Sequence, residues 1–195
     1  MSSPRPRSRS LLAVLTAVAV GLLSLLLPAT ASASPYCGIT WGSLAKVGNG
    51  NQPVPGAVLT NVRAGEQACY DRLVLDIRGT TSFASWRVEY VTEVTTDPGG
   101  FPVPLNGGAF LRIAVGAFDH TAGGTPTYCP ADPGHLVNVT GFRTFQQVAW
   151  AGSSEGISSV GLGVRARLPF RAFALSGIPG SSNGTRVVVD VAHSW

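Results

Sequence analysis

The chain has 195 residues, of which 12% are charged, with 24 Gly, 14 Pro and a formal net charge of +4. That length suits one domain with a real core, and frequent Gly and Pro with sparse charge suit short apolar strands separated by turns. The positive surplus sits at the N-terminus, and the remainder is close to neutral, which removes the electrostatic basis for nucleic-acid binding.

The chain opens with a basic region of Arg5, Arg7 and Arg9, followed by an uncharged apolar run from Leu11 to Leu27, a break at Pro28 and small residues at Ala31-Ser32-Ala33. This is the layout of a secretory signal peptide over residues 1–33. The rival reading is an uncleaved anchor, because the apolar run reaches the lower end of what spans a bilayer, roughly 17 residues. The cleavage-site pattern decides for removal, leaving no stable transmembrane segment in the exported chain. Pro35 and Tyr36 precede Cys37 where a lipid-attachment signal would carry small residues. Three of the 14 basic residues leave with the leader and none of the 10 acidic ones, so 11 basic groups face 10 acidic ones in the exported part. The expected location is secreted, in the extracytoplasmic cell envelope.

Residues 34–55 form a Gly/Asn/Pro-rich lead-in carrying Trp41. Strand patterns follow over 56–195. Ala57–Val62 is short, and Asp71–Arg78 places Leu73, Leu75 and Ile77 on one face. Trp86–Val94 alternates, and the turn residues Asp97-Pro98-Gly99-Gly100 end it. Ala109–Val115 puts Leu111, Ile113 and Val115 inward. A long Gly/Pro-rich loop runs from Phe118 to Val137. Phe142–Trp150 and Gly161–Leu168 read as further strands; Pro169 breaks the second, and Phe173 and Leu175 resume in the opposite parity. Ser176–Gly184 is a cluster of turn residues before a last strand, Arg186–Val191. No amphipathic helix is evident outside the leader, and the predicted fold is all-β, a single β-sandwich.

One pattern is written twice, as Arg72-Leu73-Val74-Leu75-Asp76-Ile77 and Arg186-Val187-Val188-Val189-Asp190-Val191. Each copy is a period-two strand with one apolar face. Leu73, Leu75, Ile77, Val187, Val189 and Val191 are expected in the core. Arg72, Asp76, Arg186 and Asp190 are expected on the outer faces, as cross-strand pairs on a solvated sheet.

Three cysteines remain after the leader: Cys37, Cys69 and Cys129. An exported chain meets an oxidising environment, so one disulfide is expected. Of the three pairings, Cys37–Cys69 is preferred, because it ties the lead-in to the first clear strand. Cys129 is then a free thiol, or the true partner of one of the others. No CxxC and no His cluster supports a metal site, and no cofactor is expected.

Several motifs imitate catalytic sites. Gly152-Ser153-Ser154-Glu155-Gly156 matches G-x-S-x-G, with Asp190 and His193 downstream, but a nucleophile elbow needs a helix after the serine and the following residues read as strand. Gly161-Leu162-Gly163-Val164-Arg165-Ala166 imitates a dinucleotide fingerprint and lacks the helix that would receive the pyrophosphate. Glu89 and Glu93 share a strand face, yet four residues of strand separate them by roughly 13 Å, beyond the spacing of a glycosidase pair. A solvated charged face beside Arg87 is the better reading. What remains is a set of aromatic and guanidinium groups: Trp41, Tyr70, Arg72, Trp86, Tyr90, Arg165, Arg171 and Trp195. Aromatic faces stack on sugars and arginines pair with carboxylates. Trp86 and Tyr90 read as core aromatics. Trp41, Tyr70, Arg72, Arg165 and Arg171 are the candidate binding residues.

Cys37-Gly38-Ile39-Thr40-Trp41-Gly42-Ser43, Cys69-Tyr70-Asp71-Arg72-Leu73-Val74-Leu75-Asp76, Trp86 to Val91 and Pro102 to Gly108 resemble the actinobacterial AMIN-like domain. So do Gly161 to Phe173 and Thr185 to His193, so that the resemblance spans nearly the whole exported chain. It implies a secreted or lipid-anchored domain with no assigned activity, related to the AMIN β-sandwiches that localise cell-wall amidases and secretins to the envelope, in part through peptidoglycan. No amidase or secretin domain accompanies it here, Cys129 stands outside the pattern, and no catalytic residue carries over. The expectation is a non-enzymatic module that binds peptidoglycan or an envelope protein. The alternatives are a carrier or adaptor for a small apolar ligand or protein partner, which would need an open apolar cleft under the loop around Pro126–Pro133, and a small serine hydrolase built on Ser154, Asp190 and His193.

Overall fold

The computed structural model describes residues 36–50, 52–79 and 85–195. Residues 1–33, the expected signal peptide, lie outside the described residues. Among those described there is no α-helix, and none long and apolar enough to cross a membrane.

Among the described residues nine strands form: β1 (Lys46–Gly48), β2 (Val58–Glu66), β3 (Tyr70–Arg78), β4 (Trp86–Val91), β5 (Ala109–Val115), β6 (Phe145–Ser154), β7 (Ile157–Val164), β8 (Phe170–Ile178) and β9 (Ser181–Ala192). They make two antiparallel sheets, β1-β4-β5-β7-β6 and β2-β3-β9-β8. The expected all-β sandwich is what the chain adopts.

The period-two pattern dictates which face closes. In the twice-written strands, Leu73 lies opposite Val189 and Leu75 opposite Val187, and all six predicted core residues are at most 1% exposed. Leu111, Ile113 and Val115 of β5 and Val160, Leu162 and Val164 of β7 meet them from the other sheet, each 0% exposed. Burying one such side chain is worth about 1.5–3 kcal/mol, and the core between the sheets is filled by side chains.

Several boundaries differ from those the sequence suggested. In the G-x-S-x-G stretch Gly152, Ser153 and Ser154 end β6, and Glu155 (φ 51) and Gly156 (φ 78) make a hairpin turn into β7. Positive φ at both central residues is what a tight hairpin with the right twist demands. β7 therefore starts at Ile157 and stops at Val164. The turn cluster before the last strand also contracts: Ile178 pairs with Ser181, and Pro179-Gly180 turns the chain. Ser and Asn there sit in an exposed hairpin end, where pairing needs no apolar side chain. β2 runs on to Glu66 past an irregularity between Leu59 and Asn61.

The long loop covers a sheet edge. Leu136 N donates to Val148 O at 2.8 Å and Trp150 N to Pro133 O at 2.7 Å, so loop backbone satisfies the outer side of β6. An uncovered edge is a template for unwanted pairing. Gln147 fastens the same region: its Nε2 donates to Gly134 O at 2.9 Å and its Oε1 accepts from Asn106 N at 2.8 Å. Segment 104–106 lies against β7 so closely that a Cβ at Gly163 would come 1.9 Å from Asn106 O. The fingerprint-like glycines are thus a close-approach device on a strand.

A buried carboxylate joins the sheets. Asp71 is 0% exposed; its Oδ2 accepts from Thr144 N at 2.6 Å and Phe145 N at 2.9 Å, and its Oδ1 meets His193 Nε2 at 2.9 Å.

Cys37 and Cys69 form the preferred disulfide, 32 residues apart in sequence, and Cys129 is a free, exposed thiol. Closing a loop of that length removes unfolded-state entropy worth about 3–4 kcal/mol. The double substitution Cys37→Ser/Cys69→Ser is expected to lower unfolding free energy by about 3 kcal/mol in denaturant titration, and an unchanged midpoint would contradict the assignment.

Candidate functional site

The outward side chains of β2, β3, β9 and β8 fall into three cross-strand rows. One reads Gly65, Arg72, Asp190, Arg171; the next Arg63, Val74, Val188, Phe173; the third Asn61, Asp76, Arg186, Leu175. Neighbouring strands lie about 4.8 Å apart, so Arg72 and Arg171 flank Asp190 from both sides.

Asp190 is 0% exposed and holds both. Arg72 Nε donates to its Oδ1 at 2.6 Å and Arg72 Nη2 to its Oδ2 at 2.9 Å, while Arg171 Nε donates to Oδ2 at 2.7 Å. The bond to Asp190 raises the Arg72 guanidinium above its usual value. Arg72 Nη2 also donates to the Tyr70 hydroxyl at 3.2 Å.

Three rings wall this pair. The Arg171 guanidinium carbon lies 5.6 Å from the Trp41 ring, 5.3 Å from Tyr70 and 5.2 Å from Phe173. Arg72 lies 5.2 Å from Tyr70 and 5.8 Å from Phe173. Trp41 and Tyr70 meet edge-on at 5.9 Å. The lead-in delivers Trp41 because the disulfide anchors Cys37, Trp41 Nε1 donates to Tyr36 O at 2.8 Å, and Phe170 N donates to Gly42 O at 2.8 Å.

Of the five candidate binding residues, Trp41, Tyr70, Arg72 and Arg171 converge. Arg165 does not: it is exposed beyond the end of β7, and its Nη2 donates to His193 O. Trp86 is buried against Gly48. Tyr90 is half-buried on Phe170; its hydroxyl donates to Leu168 O at 2.6 Å, and burial pushes its pKa up to about 12. Trp195 is exposed, with Nε1 donating to Arg167 O at 3.2 Å. Phe173 and Arg63 are members of this face that the candidate set omitted. The reversed parity after Pro169 was the signal that put Phe173 outward.

Arg72 and Asp190 form the expected cross-strand pair, but the acids of this face are not solvated. Asp190 is sealed, and Asp76 is 2% exposed. Asp76 lies opposite Arg186 in register but bonds Arg63, from Nε at 2.9 Å and Nη2 at 3.2 Å. The irregularity in β2 swings Arg63 over it, and a two-pronged fork outcompetes a single contact. Arg186 turns instead to Ser176 O at 3.1 Å.

The imitated catalytic sites do not assemble. His193 bonds Asp71, and Asp190 belongs to the arginines. Phe145, at one end of β6, shares Asp71 with His193, while Ser154 is at the far end of that 10-residue strand, roughly 30 Å away. Glu89 is held by Arg87 at 2.8 and 2.6 Å, which lowers its pKa, and Glu93 lies past the end of β4. Among the described residues no group of three or more His, Cys, Asp or Glu converges to hold a metal ion. A shallow apolar groove of about 400 Å³ is lined by Pro102, Pro104, Pro133 and Trp150, and an apolar cleft of about 490 Å³ lies at the start of the long loop, lined by Val58, Phe118, His120 and Ala122.

The fold and this face define a β-sandwich with an arginine-aromatic platform on its four-stranded sheet. The model of the AMIN-like domain family matches residues 57–193, and the chain belongs to that family. Membership and the disulfide fit an exported, envelope-associated protein. No curated protein and no solved structure matches the chain.

Removing one partner from a buried ion pair typically costs 3–5 kcal/mol. Asp190→Asn, which leaves two adjacent guanidiniums uncompensated, is expected to lose stability in that range by denaturant titration. A loss below about 1 kcal/mol would show that the carboxylate does not anchor the pair.

Proposed function

We propose that the protein is an exported, non-enzymatic module that binds or localises to the cell envelope, through peptidoglycan or an envelope protein, using the outer face of β2-β3-β9-β8. Residues 1–33 act as the leader that export removes, and residues 34–195 are the working part, with Trp41 supplied by its first segment. The observation that carries this reading is the convergence of Trp41, Tyr70, Phe173, Arg72 and Arg171 on one sheet face. Rings offer flat apolar surface to a sugar, and guanidiniums offer donors to its acidic groups. Membership of the AMIN-like family supports an envelope role. The separation of Ser154 from His193 counts against a hydrolase, while an apolar cleft of about 490 Å³ beside Phe118, His120 and Ala122 at the start of the long loop keeps a carrier of small apolar ligands as the second reading.

The test is co-sedimentation of the exported protein with purified sacculi. Retention above a control protein of similar charge is expected, and its absence would contradict peptidoglycan binding.

A further inference from the structure

The ion pairing on the platform is unbalanced. Two guanidiniums share one carboxylate, so the Arg72–Asp190–Arg171 row keeps one positive charge. Asp190 accepts from Arg72 Nε and Nη2 and from Arg171 Nε. That leaves Nη1 of Arg72 and both Nη groups of Arg171 with no acceptor among the described residues. The two side chains remain 29% and 31% exposed. The nearest polar neighbour, the Tyr70 hydroxyl, already accepts from Arg72 and has its own proton to give. The sealed Asp190 is unavailable to an incoming molecule. The centre of the platform is therefore rich in donors, poor in acceptors and cationic, and its arginines are already ordered.

A ligand for such a centre must bring negative oxygen acceptors. The fork of a guanidinium matches a planar carboxylate in two parallel bonds. The rings of Trp41, Tyr70 and Phe173 stand around Arg171, so the group beside that carboxylate meets aromatic surface. A sugar ring suits that position, with its apolar C–H face on the rings and its acid on the guanidinium. We propose that the platform is a carboxylate-binding site for acidic glycans, with Arg171 as the principal contact, Arg72 as the second donor and Asp190 as the positioning residue that fixes both. This rests on the reading that the β2-β3-β9-β8 face binds envelope material.

The test is calorimetric titration of the exported protein with oligogalacturonate and with its fully methyl-esterified form, which keeps the rings and removes the charge. The acid form is expected to bind at least about tenfold more tightly, the value of one charge-assisted hydrogen bond. Arg171→Gln is expected to abolish that preference while the protein still melts cooperatively. Should that variant fail to fold, Arg171→Lys carries the test: it keeps the charge, loses the fork, and is expected to bind the acid form about fivefold more weakly. Equal binding of the two forms, an unaltered Arg171→Gln, or displacement by inorganic phosphate as readily as by galacturonate would overturn the proposal. Acid-form binding without sacculus retention would support this site and count against peptidoglycan as its natural polymer. Sacculus retention unaffected by Arg171→Gln would put wall binding elsewhere and overturn the assignment.

Discussion

The buried carboxylate of Asp190 organises the arginine-aromatic platform on the outer face of the four-stranded sheet. It is fully enclosed, yet its partners are not. Desolvating a charge is costly unless hydrogen bonds and opposite charge offset it, and here three N–H groups converge on two oxygens. The consequence reaches beyond stability. Arginine side chains ordinarily lose considerable rotamer freedom when they grip a ligand. With Nε committed to Asp190, Arg72 and Arg171 are held in place beforehand, and the rings pack around their guanidiniums. Preorganisation of that kind lowers the cost of binding without adding a contact.

The rest of the molecule supports this face. The register between β3 and β9 sets Arg72 opposite Asp190, and the β8–β9 register brings Arg171 to its other side. The disulfide and the Gly42–Phe170 bridge carry Trp41 into reach. On the five-stranded sheet the outer surface is treated differently. Glycines on β7 admit segment 104–106, Gln147 clasps two loops, and the long loop covers the β6 edge. One sheet thus presents side chains outward, while the other is overlaid by the chain's own backbone.

Much of this was legible in the residue order, and the reasons are local. Strict alternation placed Leu73, Leu75, Ile77, Val187, Val189 and Val191 inside, because a period of two leaves a strand only two faces. The same alternation placed the charges outside but was silent on which of them would be sealed. That depends on the order of strands, β2-β3-β9-β8, which brings β8 beside β9 and so supplies a second arginine to Asp190. Arg63 was missed because its bond to Asp76 arises from an irregularity in β2 that no short-range pattern records. Arg165 resembled Arg171 in sequence, yet β7 ends at Val164 and leaves it outside the platform. Asp71 has core parity, and an acid there is readable only once Thr144, Phe145 and His193 are seen to surround it. The turn at Pro179-Gly180 is shorter than the Ser176–Gly184 cluster suggests, because exposed pairing tolerates the Ser, Asn and Gly that flank it.

The central claim is that Arg72 and Arg171 are immobilised by Asp190, and the guanidinium Nε–H resonances of residues 34–195 test it most directly. At neutral pH the account predicts discrete, slowly exchanging Nε–H signals for Arg72 and Arg171, set apart from the exposed Arg165 and Arg167, and their collapse in Asp190→Asn. Signals for Arg72 and Arg171 that exchange as fast as those of the exposed arginines would contradict it.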